Sequence, residues 1–321
     1  MSGYFKWTEQ QLWGDEKDKQ RADILEFLSD IFYTVRDMTK HALDDDDLFQ
    51  LKIKVHSAND PTRLFFQSSS ADILEQYPIV EDGESQEWLA VTDYELQSIS
   101  RSGPFTQAID LSYQMAWRFN GARRHGMPPL DGFKHSLGNL MGWRYQEGFS
   151  QSMIQERYAA TVYYDQDPEF RATQSWERIE NKLDTPHLMI TILHDITGDE
   201  RVLRGEILVI LAAMQSRMCF KLFEEHVIIP IQLFSFMGRQ GRIIQAYFDG
   251  GHLILCKSQL FNFTDFETAP FDIFVEHLAS MPVGNTKAFM LASRNQGPWS
   301  ALLFLLTSYG VLARRTIMKR F

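Results

Sequence analysis

Residues 226–263 run as three apolar stretches separated by two glycine-containing turns, and this pattern restricts the fold more than any other part of the chain. The second turn reads Asp249-Gly250-Gly251-His252. A two-residue hairpin turn needs positive φ, which glycine adopts at no steric cost. With Gly250 and Gly251 as the turn, the register follows: Phe248 opposite Leu253, Ala246 opposite Leu255, and Ile244 opposite Lys257. These six residues share one face of the sheet, because side chains alternate along a strand. Lys257 is then the one charge at the end of an apolar row. The first stretch, 226–236, is dense in Val, Ile, Leu and Phe, as a strand buried on both faces would be. Pro230 cannot donate to a ladder, which predicts an unpaired side near its start.

Ahead of this meander, apolar residues recur at helical spacing from Val202 to Met218, with Asp199 as the expected cap. Gly205 weakens the interior of that helix and therefore predicts close packing there. After the meander, 270–280 reads as a helix and 288–292 as a final strand. Residues 24–35 form an amphipathic helix, and Pro104 opens another. The four acids Asp44 to Asp47 read as a solvated loop without the spacing of a calcium site. Aromatic residues crowd 137–164, among them Trp143, Tyr145, Tyr158 and Tyr163. Such rings stack on planar ligands, but at this mixed spacing they are expected in the core. Residues 164–173 read as a linker, 176–183 as a short helix, and 187–196 as a strand. The expected class is α+β: a mainly helical region over 1–170, then an α+β region over 171–321 ending in an apolar helix.

Composition bounds the chemistry. The 321 residues carry a net charge of −10, which disfavours broad electrostatic binding to nucleic acid or anionic lipid. Two cysteines, Cys219 and Cys256, read as buried thiols of a reducing compartment, and no secretory leader is visible, so a cytoplasmic location is expected. No nucleophile elbow, P-loop, dinucleotide fingerprint or zinc motif occurs. No cofactor and no metal site is therefore expected. His194 precedes Asp195, but neighbouring strand residues point to opposite faces. Arg123, Arg124 and His125 gather three potential cations on one loop and are the candidate anion-binding residues. Residues 299–313 are almost uniformly apolar and are followed by Arg314, Arg315, Lys319 and Arg320. The run is shorter than the ~18 residues that span a bilayer, so it is expected to meet the core or a protein partner instead of a membrane.

The order from residue 198 onward, helix, meander, helix, strand, resembles the PD-(D/E)XK, restriction-endonuclease-like core. That resemblance implies a metal site built from a helix glutamate, a second-strand aspartate and a Glu-x-Lys on the third strand. Glu206 and Lys257 match the helix and lysine positions and are the candidate catalytic residues. The other two positions hold Ala246 and Leu255, so the resemblance implies a core without its converging carboxylates. The runs 230–238 and 242–250 also resemble a group of uncharacterised proteins of filamentous fungi. Three readings follow. The first is a non-enzymatic interaction or accessory protein on a degenerate nuclease-like core. The second is an enzyme whose site assembles only in three dimensions, from Arg123, Arg124 and His125 with Glu206 or Lys257. The third is nucleic-acid binding without cleavage through Arg239 and Arg242.

Overall fold

The computed structural model describes residues 4–58, 65–69, 72–83, 103–127, 136–163, 169–178, 185–265 and 268–289, with side chains from residue 16 onward. Its helices are α1 (Tyr4–Arg36), α2 (Asp45–Gln50), α3 (Asp72–Gln76), α4 (Pro104–Ala116), α5 (Leu137–Leu140), α6 (Glu156–Val162), α7 (Arg204–Met218) and α8 (Phe271–Leu278). A π-helical turn, Trp117–Gly121, continues α4. The strands are β1 (Ala42–Leu43), β2 (Ile53–Ser57), β3 (Phe66–Gln67), β4 (Trp143–Glu147), β5 (Phe170–Arg178) and β6 (Leu188–His194). They continue with β7 (Val202–Leu203), β8 (Ile231–Met237), β9 (Gln240–Phe248), β10 (Leu253–Lys257), β11 (Phe261–Asn262) and β12 (Met281–Pro282). The class is α+β, with a mixed sheet.

One sheet organises these elements, in the order β2-β10-β9-β8-β6-β5-β4, with β11 pairing β9. β6 and β8 run parallel, joined through α7, and β10 runs parallel to β2. The other pairs along this order are antiparallel. The meander has the expected register, with Phe248 opposite Leu253, Ala246 opposite Leu255 and Ile244 opposite Lys257. The sheet takes β2 and β4 from the first half of the chain, and residues 1–288 form one compact unit. The expected boundary between residues 170 and 171 falls after the first residue of β5, inside that unit.

The hairpin closes through the Asp249 N–H, which donates to the His252 carbonyl at 3.1 Å. The Asp249 carboxylate accepts from the N–H groups of Gly251 and His252. Only Gly250 takes positive φ, at 99°. A Cβ on Gly251 would meet nothing closer than Asp249 Oδ1 at 3.8 Å. Gly250→Ala is therefore expected to cost about 1–2 kcal/mol, and Gly251→Ala to stay within about 0.5 kcal/mol of the parent. Chemical denaturation of the two variants checks the asymmetry; equal losses would mean that both glycines are strained.

Two layers cover the sheet. On one side lies α7, whose residues from Gly205 to Met218 are all buried. A helix buried all round needs a second cover, and α1 supplies it, with Ile24, Leu28, Ile31, Phe32 and Val35 buried. The buried polar side chains of α7 each make at least one hydrogen bond, although Arg217 Nη1 makes none. Gln215 accepts from the Tyr158 hydroxyl at 2.9 Å, and Ser216 accepts from the Gln155 N–H at 2.8 Å. Arg217 donates to the Pro186 carbonyl at 2.7 Å. Arg21 of α1 donates to the carbonyls of Met218 and His226, holding the end of α7. Gly205 is as closely packed as expected: a Cβ there would fall 2.4 Å from the Phe170 ring. On the other side, Phe274 of α8 packs on Phe234 and Phe236, and α4 lies over β6 and β8.

Several sequence expectations give way to tertiary structure. Asp199 does not cap α7; it accepts from the N–H of Arg201, and Glu206 takes the capping role on the Leu203 N–H. Pro230 precedes a central strand, and its carbonyl accepts from Leu188. Residues 170–178, read as linker and helix start, are the strand β5. Asp44 caps the short helix α2. Cys256 is buried, but Cys219 is exposed. The strand expected over 288–292 and the apolar run 299–313 lie outside the described residues, apart from 288 and 289, which are not in a strand.

Candidate functional site

Glu206 sits in the first turn of α7 and reaches into the sheet. Its Oε1 accepts from Arg242 Nε at 2.8 Å, and its Oε2 accepts from Arg242 Nη2 at 2.6 Å and from the Leu203 N–H at 2.9 Å. Neither side chain of the pair has any exposed surface. Burial alone would raise the Glu206 carboxyl, but the Arg242 guanidinium and the Leu203 N–H outweigh it and hold the group below its ordinary value. Two further bonds hold the guanidinium: Arg242 Nη1 donates to the Asp199 carbonyl at 2.8 Å and Nη2 to the Arg201 carbonyl at 2.7 Å.

Lys257 comes to the same loop from the next strand. It faces Ile244, two residues along β9 from Arg242 and on the same face. Its Nζ donates to the Glu200 carbonyl at 2.9 Å and to Glu200 Oε2 at 3.2 Å. Arg242, which is paired with Glu206, and Lys257 thus both hold the loop 199–201. Ala246 and Leu255 face each other, both buried, where carboxylates would be needed. Of the two arginines expected to contact nucleic acid, Arg239 and Arg242, Arg242 points into the core. His194 adds a buried imidazole beside this pair. Burial lowers its pKa to about 4, with Glu206 opposing and Arg242 reinforcing the shift.

The three candidate anion-binding residues separate. Arg124 turns inward and donates to the carbonyls of Tyr77 and Arg118 at 2.9 and 2.7 Å, and burial lowers its pKa to about 10. Arg123 turns outward and pairs with Asp82 at 3.2 Å. His125 is exposed, and its backbone N–H donates to the Pro78 carbonyl. Arg124 interacts with Asp272 of α8, on the side of the sheet opposite α7. A site joining these residues to Glu206 or Lys257 would have to pass through the sheet, so the three-dimensional assembly expected for an enzyme is not the one observed.

No protein-family model, no curated protein and no solved structure matches this chain. Among the described residues, no group of three or more His, Cys, Asp or Glu side chains is placed to hold a metal ion. No helix of the described residues is long and apolar enough to cross a membrane.

A cleft of about 430 Å³ lies elsewhere, between α4 and the β5–β6 part of the sheet. Phe105, Ile109 and Tyr113 of α4 form one wall. Arg171, Thr173 and Gln174 of β5 form the other, with Leu193 of β6. Glu147 and Tyr163 close the end. The Tyr113 hydroxyl donates to Glu147 Oε1 at 2.9 Å, and this contact with the carboxylate raises the tyrosine pKa. Tyr145 stands beside them, its hydroxyl pushed up to about 12 by burial and then by Glu147. The Arg171 guanidinium lies 5.5 Å from the centre of the Phe105 ring. The aromatic content of 137–164 was the one sequence signal for this cleft. Of those rings Trp143 and Tyr158 are core, whereas Tyr163 lines the opening. The β5 contribution was hidden, because that strand read as a linker.

Proposed function

We propose that this chain is a non-enzymatic accessory or interaction protein, built on a nuclease-like core whose catalytic positions are occupied by structural side chains. The Glu206–Arg242 pair carries the reading. A metal-binding glutamate needs oxygens open to the ion, and both oxygens of Glu206 are held by arginine inside the core. Lys257, the other matching residue, is bound to Glu200. Ala246 and Leu255 supply no ligand. A protein partner is assigned to the apolar run 299–313. Nucleic acid and membrane are not among the expected partners, given the net charge of −10 and the length of that run.

The test has two arms. Purified protein is incubated with single- and double-stranded DNA and RNA in magnesium and in manganese. No cleavage above the buffer control is expected. Cleavage that co-purifies with the protein and disappears in a folded Lys257→Met variant would replace the proposal with a nuclease. In the second arm, the full chain is compared with a version ending at Gln296. Both are expected to melt alike, with self-association or partner binding confined to the full chain. Recovery of only the full chain in a salt-washed membrane pellet would make 299–313 a lipid anchor.

A further inference from the structure

The cleft beneath α4 holds unpaired polar groups, and what they imply does not depend on the reading of the nuclease-like core. Gln174 is 1% exposed, yet neither its Nε2 nor its Oε1 has a hydrogen-bond partner. The Tyr145 hydroxyl is close enough to feel the amide but lies outside hydrogen-bonding geometry. The neighbouring Thr173 Oγ1 is buried without a partner too. The unpaired tract continues under the helix. Thr191 Oγ1, directly across from Gln174 on β6, has no partner, nor has Trp176 Nε1, two residues further along β5. Nine in ten or more buried polar groups in folded proteins are paired. Four neighbouring exceptions on one face, two of them lining a cleft, mark a place where polar atoms from outside the chain complete the structure.

The charges of the cleft lining are balanced. Glu147 accepts from Tyr113, and Arg171 stacks over Phe105. The unpaired groups that line the cleft, Gln174 and Thr173, are neutral, and each both donates and accepts. The amide of Gln174 presents its donor and acceptor side by side in one plane. The rings of Phe105, Tyr113 and Tyr163 offer apolar faces around it. A volume of about 430 Å³ is in the range of small-molecule sites. We propose that this cleft binds a small, uncharged, flat heterocycle carrying a donor beside an acceptor on one edge, the pattern of a nucleobase or other cyclic amide. Gln174 Nε2 donates to the ring acceptor, Gln174 Oε1 accepts from the ring N–H, and Thr173 completes the edge.

The experiment titrates the full chain with uridine, with adenosine and with methyl glucoside, using ligand-observed NMR and thermal melting. At least one nucleoside is expected to bind, and the glucoside is not. Gln174→Met is expected to weaken the nucleoside about tenfold or more, since two hydrogen bonds are lost. The same variant is expected to melt at or above the parent, because it removes an unpaired buried amide. Thr173→Val is the second variant and is expected to weaken binding by a smaller factor. The proposal is overturned if neither nucleoside binds at about 10 mM, if the glucoside binds in preference, or if Gln174→Met binds as tightly as the parent. It also fails if Gln174→Met melts well below the parent, because the amide would then be paired within the free protein.

Discussion

Arg242→Met is expected to destabilise the protein by about 3–5 kcal/mol. The substitution leaves the Glu206 carboxylate in the core with the Leu203 N–H as its remaining donor. It also frees the Asp199 and Arg201 carbonyls that the guanidinium now holds. Glu206→Met strands the guanidinium in the same way, with those two carbonyls as its only acceptors. The double variant, Glu206→Met with Arg242→Met, removes both charges together. Much of either single loss is expected to return in it, because an apolar pair of similar volume replaces a buried ion pair at little cost. The cycle is read by urea denaturation. A single-variant loss below about 1 kcal/mol would mean that water reaches the pair. The result also bears on function, since a glutamate whose removal unfolds the protein is a structural residue.

The same pair shows why the candidate site was only half legible in the sequence. Element order singles out Glu206 and Lys257 as the helix glutamate and third-strand lysine of the resemblance. Their partners were not found. Arg242 lies 36 residues from Glu206, and Glu200 lies 57 residues from Lys257. No local pattern announces such a pairing. Arg242 opens the second strand next to the turn 237–241, where an exposed side chain is expected, yet β9 already begins at Gln240 and the Arg242 side chain is buried. The meander was legible to the residue because its register is set locally by Asp249, Gly250, Gly251 and His252. β5 was not. Its ladder to β6 shifts between Ala172 and Gln174, which breaks the period-two pattern that would identify a strand. Gln174 and Ser175 are polar yet buried, so hydrophobicity pointed the wrong way. The parallel pairing of β2 with β10 joins residues about 200 positions apart, beyond the reach of any spacing rule.

Acid is expected to weaken the fold well before the carboxylates titrate. His187 and His194 are each 3% exposed, and burial lowers their pKa values to about 3 and about 4. His187 is further depressed by Arg217 and His226, and partly supported by the Val283 and Phe65 carbonyls. His194 faces Glu206 and Glu169, which favour its charged form, and Arg242, which disfavours it. His277 is lowered in the same direction by burial. In the unfolded chain these imidazoles take up protons below about pH 6.5. In the folded protein His187 and His194 do not until about pH 4 or lower. The unfolded state therefore binds more protons across this window, and stability falls as pH falls. Each histidine contributes a slope of about 1.4 kcal/mol per pH unit once the unfolded form is fully protonated. Glu206 and Glu169 are held below their ordinary values, so their contributions are intact in this window and are lost only at lower pH. From pH 6.5 to 5 the imidazoles are therefore opposed only by carboxyls that burial raises, such as Asp110 and Glu276. Urea denaturation at pH 7, 6 and 5 is expected to show a steepening loss, and His194→Leu is expected to remove about one histidine's share of the slope. Equal stability at pH 7 and pH 5 would mean that the buried imidazoles are protonated without cost, and that burial does not depress them.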